Sequence, residues 1–276
     1  MKNLQPTLIV SVIIPTRNSE RTLRQCLQSV KEQTYRKTEA IVVDNYSIDK
    51  TAQIAQTSDA MFLSLNSERS AARNLAAAHA QGDFLLFVDS DMELHPEIIE
   101  ECVRLCRMKG FDAVAIPERT KAVGFFAECR KLERELYDTD PNSFLMPRFF
   151  KKNPFLNVGG FDEGLTCGED FELARRFERS RYRIGMATLP IVHLEEGLSL
   201  RRAVLKAYHY GNSIIPFFSK EHHSALKGYC PTRFVRNIKK LLKQPVYLAG
   251  IAVLKFFEYM AYLTGVFAAI LRGTTS

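Results

Sequence analysis

The sequence predicts an α/β fold: a mostly parallel sheet flanked by helices, followed by a C-terminal helical extension rich in basic and apolar residues. Three observations carry that expectation. Short apolar runs alternate with amphipathic segments from Leu8 to Met108, which is the rhythm of a doubly wound parallel sheet. Three of the runs end in polar clusters, Pro15-Thr16-Arg17-Asn18, Asp44-Asn45 and Asp89-Ser90-Asp91. Beyond about residue 200 the composition shifts. Arg201, Arg202 and Lys206 lead into Tyr208-His209-Tyr210, and Lys239, Lys240 and Lys243 precede a long apolar tail.

The elements follow in order. Leu8 to Ile14 is a β-rich strand, and Glu20 to Gln33 is a helix with Leu23, Leu27 and Val30 at helical spacing. Glu39 to Val43 is a second buried strand, Ser47 to Ala55 a helix, Ala60 to Leu65 a third strand, and Ser70 to Ala80 an Ala-rich helix. Asp83 to Val88 is the strand that delivers Asp89. Pro96 to Met108 is an amphipathic helix, with Pro in its first turn and Ile98, Ile99, Val103 and Leu105 inward. The rhythm then changes. Asp112 to Ile116 is a strand, Phe125 to Tyr137 a charged helix, Asp140-Pro141-Asn142 a loop and Phe144 to Phe149 a strand. Gly159 to Glu163 is a turn, Glu169 to Arg179 a helix, and Tyr182 to Val192 an extended segment ending at His193.

At 276 residues and 46% hydrophobic, the chain can bury one large core, or a domain of about 220 residues with an appendage. A net charge of +7 favours acidic partners: nucleotides, nucleic acid or an anionic membrane. Cys102 and Cys106 share a helix face, while Cys26, Cys129, Cys167 and Cys230 lack metal-like spacing, so all six read as reduced thiols of a cytosolic compartment. Met1 to Pro6 is short and polar, and no signal peptide is expected.

Parallel strands place their carboxyl ends on one side, so the three polar clusters should line one crevice. Asp89 and Asp91, one residue apart, can aim at least one carboxylate at a hard cation. Mg²⁺ and Mn²⁺ favour oxygen ligands and are often completed by substrate phosphates. The competing reading is a strand-end Asx turn. Neither a Gly-x-Gly-x-x-Gly fingerprint nor a Gly-Lys-Ser/Thr phosphate loop is present, which leaves metal and arginine to hold any phosphates.

Six ordered motifs sharpen this picture: Val12-Ile13-Ile14-Pro15-Thr16-Arg17-Asn18; Ile41-Val42-Val43-Asp44-Asn45 with Ser47, Asp49 and Thr51; Ser70-Ala71-Ala72-Arg73-Asn74; Phe87-Val88-Asp89-Ser90-Asp91; Gly159-Gly160-Phe161-Asp162-Glu163; and Gly168-Glu169-Asp170-Phe171-Glu172-Leu173. Over residues 8 to 195 the chain resembles the family 2 glycosyltransferases, enzymes with the GT-A, Rossmann-like nucleotide-sugar fold. The resemblance implies a catalytic domain over 1–200, with a nucleotide-binding half at 1–110 and an acceptor-binding half at 111–200, and an extension over 201–276. It implies that Pro15, Thr16, Arg17, Asn18, Asp44 and Asn45 surround the base and ribose, with Asp44 accepting from the base, and that Arg73 approaches the pyrophosphate or base. Asp89 would meet the ribose or the cation, with Ser90 beside it among the donor-binding residues. Asp91 would be the main metal ligand, and His193 would complete the Mn²⁺ or Mg²⁺ site. Arg17 stands where the family pattern has an aromatic residue and Ser19 where it has an acid. Competing local roles are a surface position for Arg17, a carboxylate partner for Arg73 and a structural hydrogen bond for His193.

Transfer with inversion needs a carboxylate beside the acceptor hydroxyl. Asp170 is the expected base, with Glu169 beside it in the first turn of a helix, where the amides also stabilise a cap. The implied reaction moves a sugar from a nucleoside diphosphate, UDP by preference, to a hydroxyl of a lipid-linked or polysaccharide precursor. Transfer to polyprenyl phosphate and a non-catalytic nucleotide-sugar or membrane-binding module are the alternatives. Nucleic acid is disfavoured, because the basic residues do not flank aromatic stacking platforms. Pro245 to Leu271 is long enough to cross a bilayer, but Lys255 and Glu258 fall mid-helix, where each charge costs about 2.5 to 3.5 kcal/mol. Helices lying in the interface at the cytoplasmic membrane face are therefore expected, with Tyr208 to Phe218 as a guide for an acceptor lipid or as ordinary core. The oligomeric state stays open.

Overall fold

The computed structural model describes residues 8–136, 146–220, 234 and 236–273. By contact density the chain forms two compact units. The first takes in the chain up to Glu118, Leu145–Glu163 and Asp170–His193. The second takes in Arg119–Phe144, Gly164–Glu169 and the chain from Leu194 onward.

In the first unit, strands β1 (Val10–Thr16), β2 (Thr38–Asp44), β3 (Met61–Ser64) and β4 (Phe84–Phe87) alternate with helices α1 (Leu23–Lys31), α2 (Thr51–Gln56) and α3 (Arg69–His79). A short β5 (Met92–Leu94) and helix α4 (Ile98–Met108) follow, then β6 (Ala113–Ala115). Next in the chain come β7 (Glu118–Val123) and α5 (Phe125–Arg134), which fall largely in the second unit, and then β8 (Pro147–Lys151), α6 (Lys152–Asn157), α7 (Glu169–Arg179), β9 (Ile184–Met186) and β10 (Ile191–Glu196). The main sheet has seven strands in the order β3-β2-β1-β4-β8-β6-β9. β1 pairs parallel with β2 and β4, whereas β8 runs antiparallel between β4 and β6. The sheet is therefore mostly parallel, as the sequence predicts.

Alternation along the strands fills both faces. Val10, Val12 and Ile14 point to the layer holding Leu23, Cys26, Ile98, Cys102 and Phe149. Ile13, Ile41 and Val43 point to the opposite layer, with Ala72, Ala76, Phe150, Leu173 and Phe177. Adjacent residues Phe149 and Phe150 thus serve opposite cores, as the period of two in a strand requires. Phe149 stacks on Phe84 with centroids 5.1 Å apart, and Phe150 meets Phe87 edge-on at 5.7 Å.

Most expected elements appear within a few residues of their predicted ends. β5, β7 and α6 were not expected. The predicted extended stretch from Tyr182 splits into β9 and β10, so His193 lies inside a strand and not at its end. Between the two strands the Thr188 and Leu189 amides turn to the Glu101 carboxylate at 2.9 and 3.0 Å, and Pro190 has no amide to give a ladder. The predicted loop at Asp140-Pro141-Asn142, the start of the predicted strand at Phe144, and Cys230 lie outside the described residues. Cys26, Cys102, Cys106 and Cys129 are buried free thiols.

The second unit contains α8 (Leu200–Ser213), α9 (Ile215–Lys220), α10 (Ile238–Leu242) and α11 (Pro245–Gly273) besides α5. Ser199 caps α8 by accepting from the Arg202 amide. α8 and α11 cross with almost no gap. A Cβ built on Gly211 would lie 2.0 Å from the Tyr262 carbonyl oxygen, and one on Gly265 would lie 2.3 Å from that of Tyr208. Only glycine permits that approach. Lys255 and Glu258, the mid-helix charges of α11, pair with each other at 2.9 Å. They also engage α5: Lys255 Nζ lies 2.5 Å from Glu133 Oε1, and Glu258 accepts from Arg130, which also holds Glu133 at 2.7 Å. The pair is therefore neutralised against a neighbouring helix. α11 is long and apolar enough to cross a membrane, and Val246, Val253, Phe256, Met260, Leu263, Phe267 and Ile270 form an exposed stripe at helical spacing. Phe217 of α9 is buried against Gly168, so that part of the expected lipid guide is core.

Candidate active site at the carboxyl edge

Register alone brings the polar clusters together. Thr16 lies opposite Asp44 across β1 and β2, and the Val88 amide donates to Ile13 O at 3.0 Å, so Asp89 leaves the sheet on the same edge. Hydrogen bonds then link the loops. The Asn18 amide donates to Ser47 Oγ at 2.8 Å, its Oδ1 accepts from the Ile48 amide at 3.0 Å, and Ser19 Oγ meets Ser90 Oγ at 2.8 Å. Asn18 sits at φ 51°, the left-handed conformation that Asn tolerates. The three loops therefore form one continuous rim.

The residues expected around base and ribose differ in exposure. Pro15 and Thr16 are buried in β1, and Thr16 Oγ1 has no hydrogen-bond partner among the described residues. The Asp44 carboxylate accepts from the Ser47 amide at 2.9 Å and its hydroxyl at 2.5 Å, an Asx-type turn of the kind expected where a strand ends in Asp. Asn45 Nδ2 donates to Ser67 O. Arg17 and Asn18 are exposed.

Arg73 is the buried hub, 1% exposed. Its Nη2 lies 3.0 Å from Asp89 Oδ1 and its Nη1 3.1 Å from Asp170 Oδ1, and its guanidinium stacks over Phe161 at 4.9 Å. The motif neighbour Asn74 sets that ring: it donates to Phe161 O at 2.8 Å and accepts from the Phe161 amide at 2.9 Å. Arg176 on α7 donates to Gly160 O at 2.7 Å. Glu169 is buried, while Asp170 stays 37% exposed at the start of α7. Two motifs nearly a hundred residues apart thus meet on one guanidinium.

On the far side of the site the expected His193 is joined by two residues that the sequence did not single out. Arg148, from buried strand β8, lies 3.4 Å from Asp89 Oδ2 and binds Glu118 Oε1 through Nε at 2.7 Å and Nη2 at 2.6 Å. Glu118 Oε2 accepts from His193 Nε2 at 2.9 Å, and His193 Nδ1 lies 3.7 Å from Asp91 Oδ1. The last approach follows from pairing: His193 stands opposite Met92 in the β10–β5 ladder, next to Asp91. A lone charged residue in the apolar run Pro147-Arg148-Phe149-Phe150, and an acid directly after Ile116-Pro117, are the sequence signals that mark Arg148 and Glu118.

Charge follows this geometry. Burial would raise the Asp89 carboxyl, but Arg148 and Arg73, with Arg69 and His193, hold it far below the usual carboxylate range. Burial would likewise raise Glu118, yet Arg148 and His193 bring it down to about 2. Burial disfavours the Arg148 cation, and Glu118, Asp89 and Asp170 outweigh that and push it up. The Cys26 thiol beneath Asp89 is raised by burial and by Asp91 and Asp89.

These contacts divide the expected cation ligands. Asp89, Asp91 and His193 do not gather into a trio: among the described residues no three His, Cys, Asp or Glu groups form a metal cluster. Asp89 is engaged by two guanidiniums, whereas Asp91 and His193 face each other. Neighbouring donors on an octahedral ion with bonds of about 2.1 Å lie about 3 Å apart, so the 3.7 Å pair needs only a small closure to bind one. The donor set, one carboxylate and one imidazole with the remaining positions left to phosphate and water, fits Mn²⁺ or Mg²⁺.

The chain is similar in sequence and fold to known proteins. The chain is 35% identical over 179 residues to poly(ribitol-phosphate) beta-N-acetylglucosaminyltransferase TarS of Staphylococcus aureus, a match covering 58% of the chain and 30% of TarS. It is 38% identical over 88 residues to UDP-Glc:alpha-D-GlcNAc-diphosphoundecaprenol beta-1,3-glucosyltransferase WfgD of Escherichia coli, covering 30% of the chain and 35% of that protein. The chain thus spans about a third of the length of these relatives. Mannosyltransferase PcManGT from Pyrobaculum calidifontis, solved with GDP-Man and Mn²⁺, shares the fold with a TM-score of 0.59 at 21% identity, over 98% of this chain and 76% of that one. The model of glycosyl transferase family 2 matches residues 11–166, and the chain belongs to that family.

Proposed function

We propose that the chain is an inverting, divalent-cation-dependent glycosyltransferase that moves a sugar from a nucleoside diphosphate, UDP by preference, to a hydroxyl of a lipid-linked or polysaccharide precursor. One observation carries the reading: the carboxyl edge holds Asp170, oriented by Arg73, together with a facing Asp91 and His193. Asp170 takes the proton of the acceptor hydroxyl as its oxygen bonds to the anomeric carbon, and the bond to the diphosphate breaks on the opposite face. Arg73 Nη1 holds Asp170 Oδ1 and leaves the other oxygen for the acceptor. Asp91 and His193 would hold the cation, which supplies Lewis-acid stabilisation of the departing diphosphate when bound. Thr16 Oγ1, buried at the rim, is suited to a ribose or base contact.

The names of two relatives support the substrate classes, since WfgD takes UDP-Glc to a diphosphoundecaprenol-linked acceptor and TarS acts on poly(ribitol-phosphate). The exposed stripe of α11 supports a membrane site, because apolar patches of this length mark interfaces. Arg201, Arg202, Lys239 and Lys243 supply charge for anionic lipid on the cytoplasmic side. Transfer to a polyprenyl phosphate draws on the same stripe, but Asp170 would then only position an acceptor that is already an anion.

The test is turnover with UDP-sugars and Mn²⁺ on lipid-linked and soluble glycan acceptors, with product configuration read by NMR. An inverted anomeric centre is expected, with kcat reduced by about 10²–10⁴ in Asp170→Asn at unchanged donor affinity. A retained configuration, or full activity in Asp170→Asn, contradicts the mechanism. Donor binding without turnover on any acceptor would favour a binding module.

A further inference from the structure

We infer that Glu118 is a positioning residue for the cation: it decides which nitrogen of His193 faces Asp91 with a lone pair. The inference rests on the donor-site reading above. A carboxylate only accepts hydrogen bonds, so the 2.9 Å contact of Glu118 Oε2 with His193 Nε2 places a hydrogen on Nε2. In a neutral imidazole the lone pair then falls on Nδ1, and Nδ1 is the atom 3.7 Å from Asp91 Oδ1. With a neutral imidazole, two lone-pair donors facing each other at that distance repel until a cation, or a proton on Nδ1, lies between them.

The surroundings fix Glu118 for this task. Arg148 occupies Oε1 with two nitrogens, at 2.7 and 2.6 Å, so the carboxylate cannot rotate away and only Oε2 is turned to the ring. Arg148 itself lies in strand β8 with its side chain largely buried. The backbone adds a second constraint: the Ile191 amide at the start of β10 donates to Pro117 O at 2.9 Å, tying the strand that carries His193 to the residue preceding Glu118. Carboxylate partners of this type orient metal-binding histidines and raise their basicity, and their loss costs about 10–100-fold in metal affinity. The role is separate from the Arg148 salt bridge. A residue that only neutralised Arg148 would have no reason to spend its second oxygen on the ring.

The experiment measures Mn²⁺ binding to the full chain from the electron paramagnetic resonance signal of the free ion, with UDP present, and UDP affinity separately in EDTA. Glu118→Gln is expected to weaken Mn²⁺ binding about 10–100-fold while UDP affinity in EDTA stays at the wild-type value. Mn²⁺ affinity unchanged in Glu118→Gln but lost in His193→Ala overturns the inference and leaves the donor site standing. A wild-type protein that binds no Mn²⁺ with UDP overturns both. A circular dichroism spectrum of Glu118→Gln that superimposes on that of wild type excludes misfolding of the variant. With ¹⁵N-labelled histidine and Mg²⁺ plus UDP bound, His193 is expected to carry its proton on Nε2, and a proton on Nδ1 instead refutes the assignment.

Discussion

Replacing Arg73 by Met tests the hub of the site most severely. The methionine keeps a stem of similar length against Phe161 but removes the charge that pairs with Asp89 at 3.0 Å and Asp170 at 3.1 Å. Breaking a buried ion pair by deleting one partner costs about 3–5 kcal/mol, because the other charge is left uncompensated. Two features moderate that figure here. Asp170 is 37% exposed and can rehydrate, and Asp89 retains Arg148 at 3.4 Å. A loss of about 3 kcal/mol is therefore expected. For a protein of this size, 1 kcal/mol corresponds to about 2–4 °C in Tm, so Arg73→Met should melt about 6–12 °C lower by circular dichroism. Arg73→Lys should fall between, since a point ammonium cannot satisfy two carboxylates with the fork of a guanidinium. A shift below about 2 °C in Arg73→Met would refute the view that Arg73 holds the two acids together.

Stability should also report the site through pH. Asp89 and Glu118 have depressed folded-state values, so their contribution is complete above the unfolded values and is lost as the pH falls, for Glu118 between about 4.5 and about 2. Tm should decline across that window and Glu118→Gln should flatten the decline, whereas an acid limb parallel to wild type counts against the ion network. In the second unit, Gly265→Ala sets two effects against each other. Helix propensity favours Ala by about 1 kcal/mol, but the new Cβ would lie 2.3 Å from Tyr208 O and 2.8 Å from the Asn212 amide, and overpacking of this kind costs about 1–3 kcal/mol. A net loss of Tm is expected, and a gain would show that α8 and α11 are not in close contact.

Much of the catalytic edge was legible because its logic is local. A strand that runs into a polar cluster announces a rim, and β1, β2 and β4 each did so. The motifs containing Arg73 and Asp170 were also visible, but not their partnership, which depends on α3 and α7 meeting across ninety-seven positions. Arg148 and Glu118 escaped notice because nothing in their neighbourhood repeats. Arg148 reads as an interruption of an apolar strand, and only the antiparallel placement of β8 beside β4 reveals why a charge sits there. β5 was hidden by its three-residue length, and with it the ladder that carries His193 to Asp91. Lys255 and Glu258 were read as a penalty on the apolar tail, since a single helix cannot show that Arg130 and Glu133 on α5 answer them.

The central claim is that Asp91 and His193 hold a divalent cation against the diphosphate of a sugar donor. Crystals grown with Mn²⁺ and UDP, and measured for anomalous scattering at the manganese edge, address it directly. The account predicts one strong peak within bonding distance of an Asp91 oxygen and His193 Nδ1, with phosphate oxygens completing the shell. A bound UDP with no manganese between those two side chains, or manganese seated away from both, would contradict it.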